Sequence, residues 1–362
     1  MAGLLEKKFL AGTESRTAEY PETVAVMRSF IEGKGGVVRF DEYMAEHLFG
    51  EQGYYSKRVD IRKVGGDFGT TALEPEFAKL LHAFFRDNKL SGRDFLELGG
   101  GEGTFKRNYL ELCPETRYLS VDISKKLANL QKKSGENFNS QTLVADSTVL
   151  PLKDSSVEGI IFSNELLDAL PCRMFRISIE SGNVRINQEG FARLEGEGLN
   201  IGLGDAQRDD FLTEYEYFLN EIQPRRDMED GDYICISPKI KTLLAEIDRV
   251  LKKGSVFLFD YGFAQGYVTM GRSRQELPYF AGNYTVDALN RIEARPYETD
   301  ITYQIDFDYC KWIMNRINPA LRSTVDPRHH LMRTILRENP DFAPLKSRID
   351  ETSREGVLII SK

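Results

Sequence analysis

The order of apolar and polar residues predicts alternating strands and helices through the middle of the chain. After Ser91, four short apolar runs predict strands, and helical patterns such as KKLANLQKK lie between them. Strands that alternate with helices favour an α/β fold whose sheet is mostly parallel and covered by helices on both faces. The four predicted strands lie in the segments FLELGGGEGTF, YLSVDIS, TLVADST and VEGIIFSNELLDALP.

The region before this pattern is predicted to be helical. Residues 1 to about 35 predict a helical leader that ends at a cluster of glycines. Apolar residues then recur at helical spacing from Phe40 to Phe49 and from Phe77 to Phe85. We therefore expect an N-terminal helical leader and cap over residues 1–90 and the main domain over residues 91–362.

The pattern of the main domain is interrupted at about residues 173–232. The alternating runs RMFRISIE and VRINQEG predict an inserted β-hairpin there. The segment YICISPKIKTLLAEIDRVLKKGSVFLFDYG then predicts a strand, a helix and a strongly apolar strand that resume the main sheet. Near the C-terminus, GVLIISK predicts one strand of a reversed final hairpin.

Composition excludes several classes of function. The net charge of −8 argues against general affinity for nucleic acid, and no apolar run approaches the length that would cross a bilayer. The N-terminus lacks the pattern of a signal or transit peptide, so a cytoplasmic protein without membrane insertion is expected. We expect no metal site or disulfide framework, because the four cysteines are widely spaced: Cys113, Cys172, Cys235 and Cys310.

The first strand ends in a glycine-rich turn that indicates a cofactor site. Gly99, Gly101 and Gly103 allow the backbone to turn sharply and to approach a ligand closely. Their spacing departs from the G-x-G-x-x-G pattern that favours dinucleotides. Glu97 would attract the cationic groups of S-adenosylmethionine, whereas it would repel a pyrophosphate. The turn thus favours S-adenosylmethionine, while a nucleotide enzyme and a purely structural turn stay open at this point.

Acidic residues follow the next two strands. Asp122 ends the second strand, where it could accept hydrogen bonds from both ribose hydroxyls, and Ile123 comes next to it. Asp146 follows the third strand, where it could meet the adenine amino group. Each acid alone could be a helix cap. Together they strengthen the prediction, because ligands of such sheets lie outside the carboxyl ends of the strands.

The fourth strand ends in polar residues that could act on the methyl acceptor. Asn164 and Glu165 would lie near the transferable methyl group, and Asp168 would lie one turn further on. Plain helix capping is an alternative for Asn164. A pair of carboxylates at Glu165 and Asp168 could hold a guanidinium by directed hydrogen bonds and aim one nitrogen at the methyl group. Tyr54 and Tyr55 could either close over the cofactor or pack the cap on the sheet.

Eight segments, taken together, resemble one protein family. They follow the family's order over about residues 38 to 310, and SNELLDALP is far more specific than the glycine turn. On these segments the chain resembles the MidA-like family of S-adenosylmethionine-dependent methyltransferases, which includes the mitochondrial complex I assembly-factor methyltransferase. The segments are FDEYMAEHLFGEQGYYS, GGDFGTTALEPEFAKLL, FLELGGGEGTF, VDISKKLANLQKK, SNELLDALPCRMF, ICISPKIKTLLAEI, GSVFLFDYGF and DITYQIDFDY.

The resemblance implies a fold and a set of site residues. The fold would be a Rossmann-like, seven-stranded class I methyltransferase sheet with the helical cap and the β-hairpin insertion. Cofactor contacts would fall to Gly99, Gly101, Gly103, Asp122 and Asp146, and substrate-facing roles to Asp67, Asn164, Glu165 and Asp168.

The resemblance also implies a substrate and partners. Because the mitochondrial relative modifies an arginine of a respiratory-chain subunit, the expected acceptor is an arginine of a protein, such as a respiratory-complex subunit, and a homodimer is expected. The chain departs from the family where Thr71-Ala-Leu-Glu-Pro75 replaces the usual serine-proline, and again over residues 264–299. Two alternatives remain: an assembly factor that binds S-adenosylmethionine without turnover, and a nucleotide-dependent oxidoreductase.

Overall fold

A computed structural model describes the structure of most of the chain. It covers residues 21–61, 70–90, 94–224, 228–264, 279–280, 293, 295–327 and 355–362. The described strands are β1 (Val37–Arg39), β2 (Asp94–Leu98), β3 (Arg117–Asp122), β4 (Ser140–Val144), β5 (Val157–Asn164), β6 (Arg173–Glu180), β7 (Asn183–Glu195), β8 (Gly198–Asp205), β9 (Tyr233–Ile236), β10 (Leu251–Phe263), β11 (Tyr279–Phe280), β12 (Ile301–Thr302), β13 (Ile305–Asp306), β14 (Arg322–Pro327) and β15 (Glu355–Ser361).

Helices lie before and between these strands. The described α-helices are α1 (Pro21–Gly33), α2 (Phe40–Phe49), α3 (Pro75–Asp87), α4 (Thr104–Leu112), α5 (Lys125–Ser134), α6 (Asp210–Tyr217), α7 (Lys239–Val250) and α8 (Phe307–Ile317). Two π-helical turns span Tyr54–Arg58 and Phe218–Ile222, and a 3₁₀ turn spans Thr71–Leu73. Helix α2 has the bounds that its apolar spacing predicts.

The central sheet is mixed and has the order β14-β15-β10-β5-β2-β3-β4. The five strands from β10 to β4 are mutually parallel, whereas β14 and β15 are antiparallel to their neighbours. The short β13 pairs with the end of β10, so the described sheet has eight strands, seven of them in one continuous path. The mixed α/β architecture agrees with the sequence-based prediction of the fold class.

The strand order places a topological switch point between β2 and β5. From β2 the chain moves outward to β3 and β4, and it then returns to β5 on the other side of β2. The connections after β2 and β5 therefore diverge at the carboxyl edge and leave a crevice between them. Ligands of open α/β sheets bind in such crevices.

A second sheet corrects the prediction of a simple β-hairpin insertion. Strands β6, β7 and β8 form an antiparallel meander that also pairs with β1 and β9, which gives five strands. We expected β9 to resume the central sheet, but it pairs with β6. The physical reason is visible in its burial: β9 buries Ile234 and Ile236 alternately, whereas the central β2 is buried throughout.

Two hydrophobic clusters cover the central sheet. The larger cluster includes Leu96, Leu98 and Ile161 of the sheet and continues to the second sheet. The smaller cluster is largely aromatic and joins α3 and α4 to the opposite face. In it the rings of Phe105 and Phe162 stack with centroids 4.5 Å apart. Because Phe105 is the second residue of α4, this packing holds the start of α4 against β5, beside the crevice.

Candidate functional site

A cavity of about 270 Å³ lies at the carboxyl ends of the parallel strands. The connections after β2, β3, β4 and β5 form its floor, and residues of the N-terminal cap cover it. Its lining includes most of the site residues predicted from the sequence: Glu97, Gly99, Gly101, Asp122, Ile123, Asp146, Asn164 and Glu165. The cap and neighbouring segments contribute Ala45, Phe49, Tyr55, Ile61, Thr70, Ala72 and Leu73.

The glycine turn after β2 has the backbone conformation that glycine favours. The φ values of Gly99, Gly101 and Gly103 are 70°, 53° and 79°. They lie in the left-handed region, which is energetically unfavourable for a residue with a Cβ atom. A Cβ on Gly101 would also lie 3.3 Å from Ile61 Cδ1. Gly103 has a different reason to be glycine: its Cβ would lie 2.8 Å from the Cα of Gln131 in α5, and the residue is absent from the cavity lining.

Glu97 lies beneath this turn with its carboxylate buried. A Cβ on Gly100 would lie 2.6 Å from Glu97 Oε2, and that oxygen has no hydrogen-bond partner among the described residues. Burial raises the pKa of Glu97 to about 7, while Tyr118 and Lys106 partly offset the shift. A buried acceptor without a partner is costly. A cationic ligand in the cavity would relieve this cost.

Asp122 is held rigidly at the end of β3. Its Oδ1 accepts a hydrogen bond from the Ser124 amide at 2.8 Å, and its Oδ2 accepts one from Gln131 Nε2 at 2.8 Å. Gln131 Nε2 also donates to the Gly101 carbonyl at 2.9 Å, which connects this acid to the glycine turn. Burial raises the pKa of Asp122 to about 7 despite these hydrogen bonds.

Asp146 closes the side of the cavity beyond β4. Its Oδ1 accepts hydrogen bonds from the backbone amide of Thr148 at 2.8 Å and from its hydroxyl at 2.7 Å. These bonds form a local turn of the kind that Asp favours after a strand. They leave Oδ2 without a hydrogen bond to any described residue, so a ligand amino group could approach it.

At the other end of the cavity, Glu165 adopts a strained conformation. It has a φ of 53°, which is unusual for a residue with a side chain, and it follows directly after β5. Its Oε1 accepts hydrogen bonds from the Thr70 hydroxyl at 2.7 Å and from Asn164 Nδ2 at 3.1 Å. Residues held in sparsely populated backbone regions often belong to functional sites.

Asn164 and Thr70 complete this end of the cavity. Asn164 Nδ2 also donates to the Thr70 hydroxyl at 2.9 Å, while its Oδ1 is buried without a hydrogen-bond partner among the described residues. Sequence reasoning did not select Thr70. The available signal was its place in GGDFGT, part of one of the eight segments that carry the family resemblance.

Asp168 lies behind the cavity wall. Its side chain is buried and absent from the cavity lining, so the structure places it outside the surface that a ligand in the cavity would contact. Burial raises its pKa well above the ordinary value, and the nearby Asp260, Glu165 and Asp300 add to the shift. Asp67, the remaining predicted substrate residue, lies outside the described residues.

Tyr55 both lines the cavity and anchors the cap. Its hydroxyl donates a hydrogen bond to Asp300 Oδ2 at 2.7 Å, and its carbonyl accepts one from the Ser124 hydroxyl at 2.6 Å. Its ring also stacks on Phe49, with ring centroids 5.6 Å apart. The two roles considered for this tyrosine from the sequence are therefore compatible.

The described residues fit S-adenosylmethionine. Gly99, Gly100 and Gly101 line the cavity, so a ligand can lie beside the backbone of this turn. The Oε2 of Glu97, which has no hydrogen-bond partner among the described residues, suits a group with positive charge. Asp122 and Asp146 line the cavity with acceptors that suit ribose hydroxyls and an adenine amino group. No group of three or more potential metal ligands occurs in the part of the chain that the structure describes, and none of its helices is long and apolar enough to span a bilayer.

Comparisons with known proteins support the same cofactor. Residues 77–323 match the profile of a family of S-adenosyl-L-methionine-dependent methyltransferases. The crystal structure of an uncharacterized protein from Burkholderia thailandensis has a TM-score of 0.66 at 21% identity. The match covers 97% of this chain and 95% of that chain. A second protein from that organism, bound to S-adenosyl-homocysteine, has a TM-score of 0.65 at 19% identity, with coverage of 97% and 95%.

No curated protein matches the sequence at a significant level. The two structural similarities lie below 25% identity and therefore establish the shared fold. The family profile carries more, because its match at residues 77–323 spans more than half of the chain and includes the glycine turn, Asp122, Asp146 and Glu165. The chain belongs to this family of S-adenosyl-L-methionine-dependent methyltransferases.

Proposed function

We propose that the protein transfers the methyl group of S-adenosylmethionine to a guanidinium nitrogen of an arginine in another protein. The observation that carries the proposal is the acidic end of the cavity. Glu165 lines the cavity there, and Asp168 lies buried behind it. Burial raises the pKa of Asp168, and the charges of Asp260, Glu165 and Asp300 raise it further. A cationic acceptor would be attracted to this end of the cavity.

The raised pKa values support a cationic acceptor. Burial raises the pKa of both Asp168 and Asp260, and the charge of Glu165 raises both further, so a negative charge on either group is costly without a nearby cation. An acceptor with a positive charge would lower this cost when it binds. Among protein side chains, the planar guanidinium of arginine also matches a carboxylate with two parallel hydrogen bonds, which a lysine ammonium cannot do.

The reaction requires alignment and the removal of a proton. The sulfonium of the cofactor supplies the methyl group; its S–C bond breaks as a new N–C bond forms on the acceptor. Glu165 would orient the guanidinium through its carboxylate, which also accepts the hydrogen bond from the Thr70 hydroxyl, and it would accept the proton that the methylated nitrogen loses. Asn164 Oδ1, which is buried and unpaired among the described residues, would accept a hydrogen bond from a second N–H group.

A protein, rather than a free amino acid, is proposed as the carrier of the arginine. Support comes from the resemblance to MidA-like proteins, and a respiratory-complex subunit is the first protein to test on that ground. The cytoplasmic location and the homodimer remain expectations that follow from the sequence and from this resemblance.

The test identifies the modified residue in a mixture of candidate acceptor proteins. A lysate would be incubated with the purified protein and S-adenosylmethionine that carries a deuterated methyl group, and the proteins would be hydrolysed and analysed by mass spectrometry. We expect deuterated methylarginine in the complete reaction and at least tenfold less with Glu165→Gln. Deuterated methyllysine or a methylated small molecule instead would contradict the arginine assignment. Cofactor binding without any methylated product would favour the assembly-factor alternative.

A further inference from the structure

Asp260 is a buried carboxyl group close to the end of the cavity where Glu165 lies, which we call the acceptor end. Asp260 itself does not line the cavity. It is 1% exposed and lies within β10, the strand next to β5. Its Oδ2 accepts hydrogen bonds from the backbone amides of Leu167 at 2.8 Å and Asp168 at 3.2 Å. Its Oδ1 accepts one from the Tyr261 amide at 2.8 Å. All its hydrogen bonds to described residues thus come from backbone amides.

The two amides of Leu167 and Asp168 belong to the turn that carries Glu165. This turn follows β5 and has no regular helix to fix it. The neighbouring Phe259 accepts a hydrogen bond from the Glu165 amide at 2.9 Å through its carbonyl, and the Tyr303 hydroxyl donates to the Leu167 carbonyl at 2.9 Å. Two consecutive residues of β10 therefore hold three backbone amides of the turn.

The turn needs such external support for two reasons. Glu165 has a φ of 53°, a strained conformation that persists only where the surroundings hold it. The next residue, Leu166, packs against the glycine turn, since a Cβ on Gly99 would lie 2.9 Å from Leu166 Cδ1. A shift of this turn would therefore move the acceptor carboxylate relative to the cofactor turn.

We propose that Asp260 is a positioning residue for methyl transfer: its carboxylate holds the turn after β5 so that Glu165 faces the acceptor. The proposal rests on the proposed function for the role of Glu165, but the positioning of the turn can be tested separately. Asp260 acts through the backbone of Leu167 and Asp168 and does not touch the substrate. Its loss should change acceptor chemistry more than cofactor affinity, because the contacts of Asp122 and Gln131 lie elsewhere in the cavity.

The charged and titratable groups around Asp260 bear on how it is tested. Glu165 and Asp168 of the turn lie within electrostatic range of it, and so do Tyr303 and Cys310. Substitution by Asn removes the ionisable carboxyl group and replaces one acceptor oxygen by a donor nitrogen. At least one of the backbone amides that Asp260 holds then loses its partner. Asp260→Ala removes all three bonds.

Asp306→Asn provides a matched control. Asp306 is also fully buried, and its carboxylate also holds backbone: Oδ1 accepts a hydrogen bond from the Tyr309 amide at 3.0 Å at the start of α8. Its Oδ2 accepts one from the Tyr215 hydroxyl at 3.1 Å. Since these hydrogen bonds hold α8 and α6 rather than the turn that carries Glu165, this substitution reports the cost of losing a buried capping carboxylate without moving Glu165.

The experiment combines hydrogen exchange, calorimetry and product analysis on the full chain. For Asp260→Asn we expect amide exchange at Leu167 and Asp168 to rise at least tenfold, the Kd for S-adenosylhomocysteine to stay within threefold, and the yield of deuterated methylarginine to fall at least tenfold. Asp260→Ala should give the same pattern with larger changes. Asp306→Asn should leave the exchange at both amides and the yield within threefold of the original protein.

Three results would overturn the proposal. Unchanged exchange at Leu167 and Asp168 would show that Asp260 does not hold the turn. An equal loss of yield in Asp306→Asn, or a loss of yield that merely follows the loss of cofactor binding, would show a general effect on stability. If the original protein forms no methylarginine, the proposed function fails, whereas exchange and cofactor affinity still decide whether Asp260 positions the turn.

Discussion

The two ends of the cavity are built by contacts of very different range along the chain. At the cofactor end, Asp122 binds an amide two residues away and a glutamine nine residues away, and Asp146 binds Thr148 two residues away. At the acceptor end, Glu165 binds Thr70 across 95 positions, and Asp260 binds the Leu167 amide across 93 positions. The hydrogen bonds of the cofactor-end acids are therefore made within short segments, whereas those of Glu165 and Asp260 form only once distant segments have assembled.

The two ends also accommodate left-handed backbone in different ways. At the cofactor end, each such position is a glycine, so the conformation carries no penalty from a Cβ atom. At the acceptor end, Glu165 adopts a similar φ with a full side chain, and the surrounding hydrogen bonds must offset the strain. The difference predicts that substitutions at the first end act mainly on cofactor affinity and substitutions at the second act mainly on turnover.

The largest expected effect tests the cofactor end. Gly101→Val would impose a branched side chain at a φ of 53° and place its Cβ against Ile61. We expect the affinity for S-adenosylmethionine to fall by more than about 100-fold, which corresponds to roughly 3 kcal/mol. Calorimetric titration measures this change. Gly182→Val is the matched control, because Gly182 has a φ of 82° but nothing within 4 Å of its Cβ position. Equal losses in both variants would contradict a specific role for Gly101.

The second effect tests the acceptor end. Glu165→Gln keeps the size of the side chain and an oxygen for Thr70, but it removes the charge and the proton acceptor. We expect kcat for methylarginine formation to fall by about 100-fold, within the range for loss of a general base, while the Kd for S-adenosylhomocysteine stays within about threefold. Thr70→Val, which leaves the carboxylate in place, should lower kcat by about tenfold. If the cofactor affinity of either variant fell as much as its kcat, the result would contradict the claim that the acceptor end acts mainly on turnover.

The smallest effect concerns stability and its dependence on pH. The pKa of Glu97 is raised from 4.5 to about 7 by burial, so its neutral form stabilises the folded protein below its unfolded pKa, and this contribution is lost as the pH rises through 7. Glu97→Gln stays neutral throughout. We compare the free energy of unfolding of this variant with that of the original protein, both without cofactor. We expect the difference, variant minus original, to be about 2 kcal/mol larger at pH 8 than at pH 5.

Urea denaturation at the two pH values, with Glu195→Gln as an exposed control, measures this difference. No change between pH 5 and pH 8, or an equal change in the control, would show that Glu97 is not destabilised by its burial. The same Glu97→Gln variant should bind S-adenosylmethionine less tightly, because the cationic part of the ligand loses its buried partner. Lower affinity together with higher stability at pH 8 would indicate that the buried carboxylate of Glu97 destabilises the protein without cofactor but strengthens cofactor binding.

Much of the central sheet could be predicted from the sequence, because its signals are local. The apolar runs after Ser91, the glycine turn and the acids at the strand ends each lie within a few residues, and the structure places Gly99, Asp122, Asp146 and Glu165 around one cavity. The second sheet was harder, because a strand's own pattern does not name its partner. The segment with Ile234 and Ile236 was predicted as a strand, but its pairing with β6 depends on chain far from it.

The sequence by itself determined the α/β alternation, the turn that suits a cofactor and the identity of the acids at the strand ends. Only the tertiary structure decided that Thr70 binds Glu165 and that Asp168 lies behind the cavity wall. It also decided that Asp260 accepts hydrogen bonds from the turn after β5. The physical reason is the range of the interactions. Backbone preferences and strand periodicity act between neighbours, whereas the acceptor end depends on burial and hydrogen bonds between segments 93 to 95 positions apart.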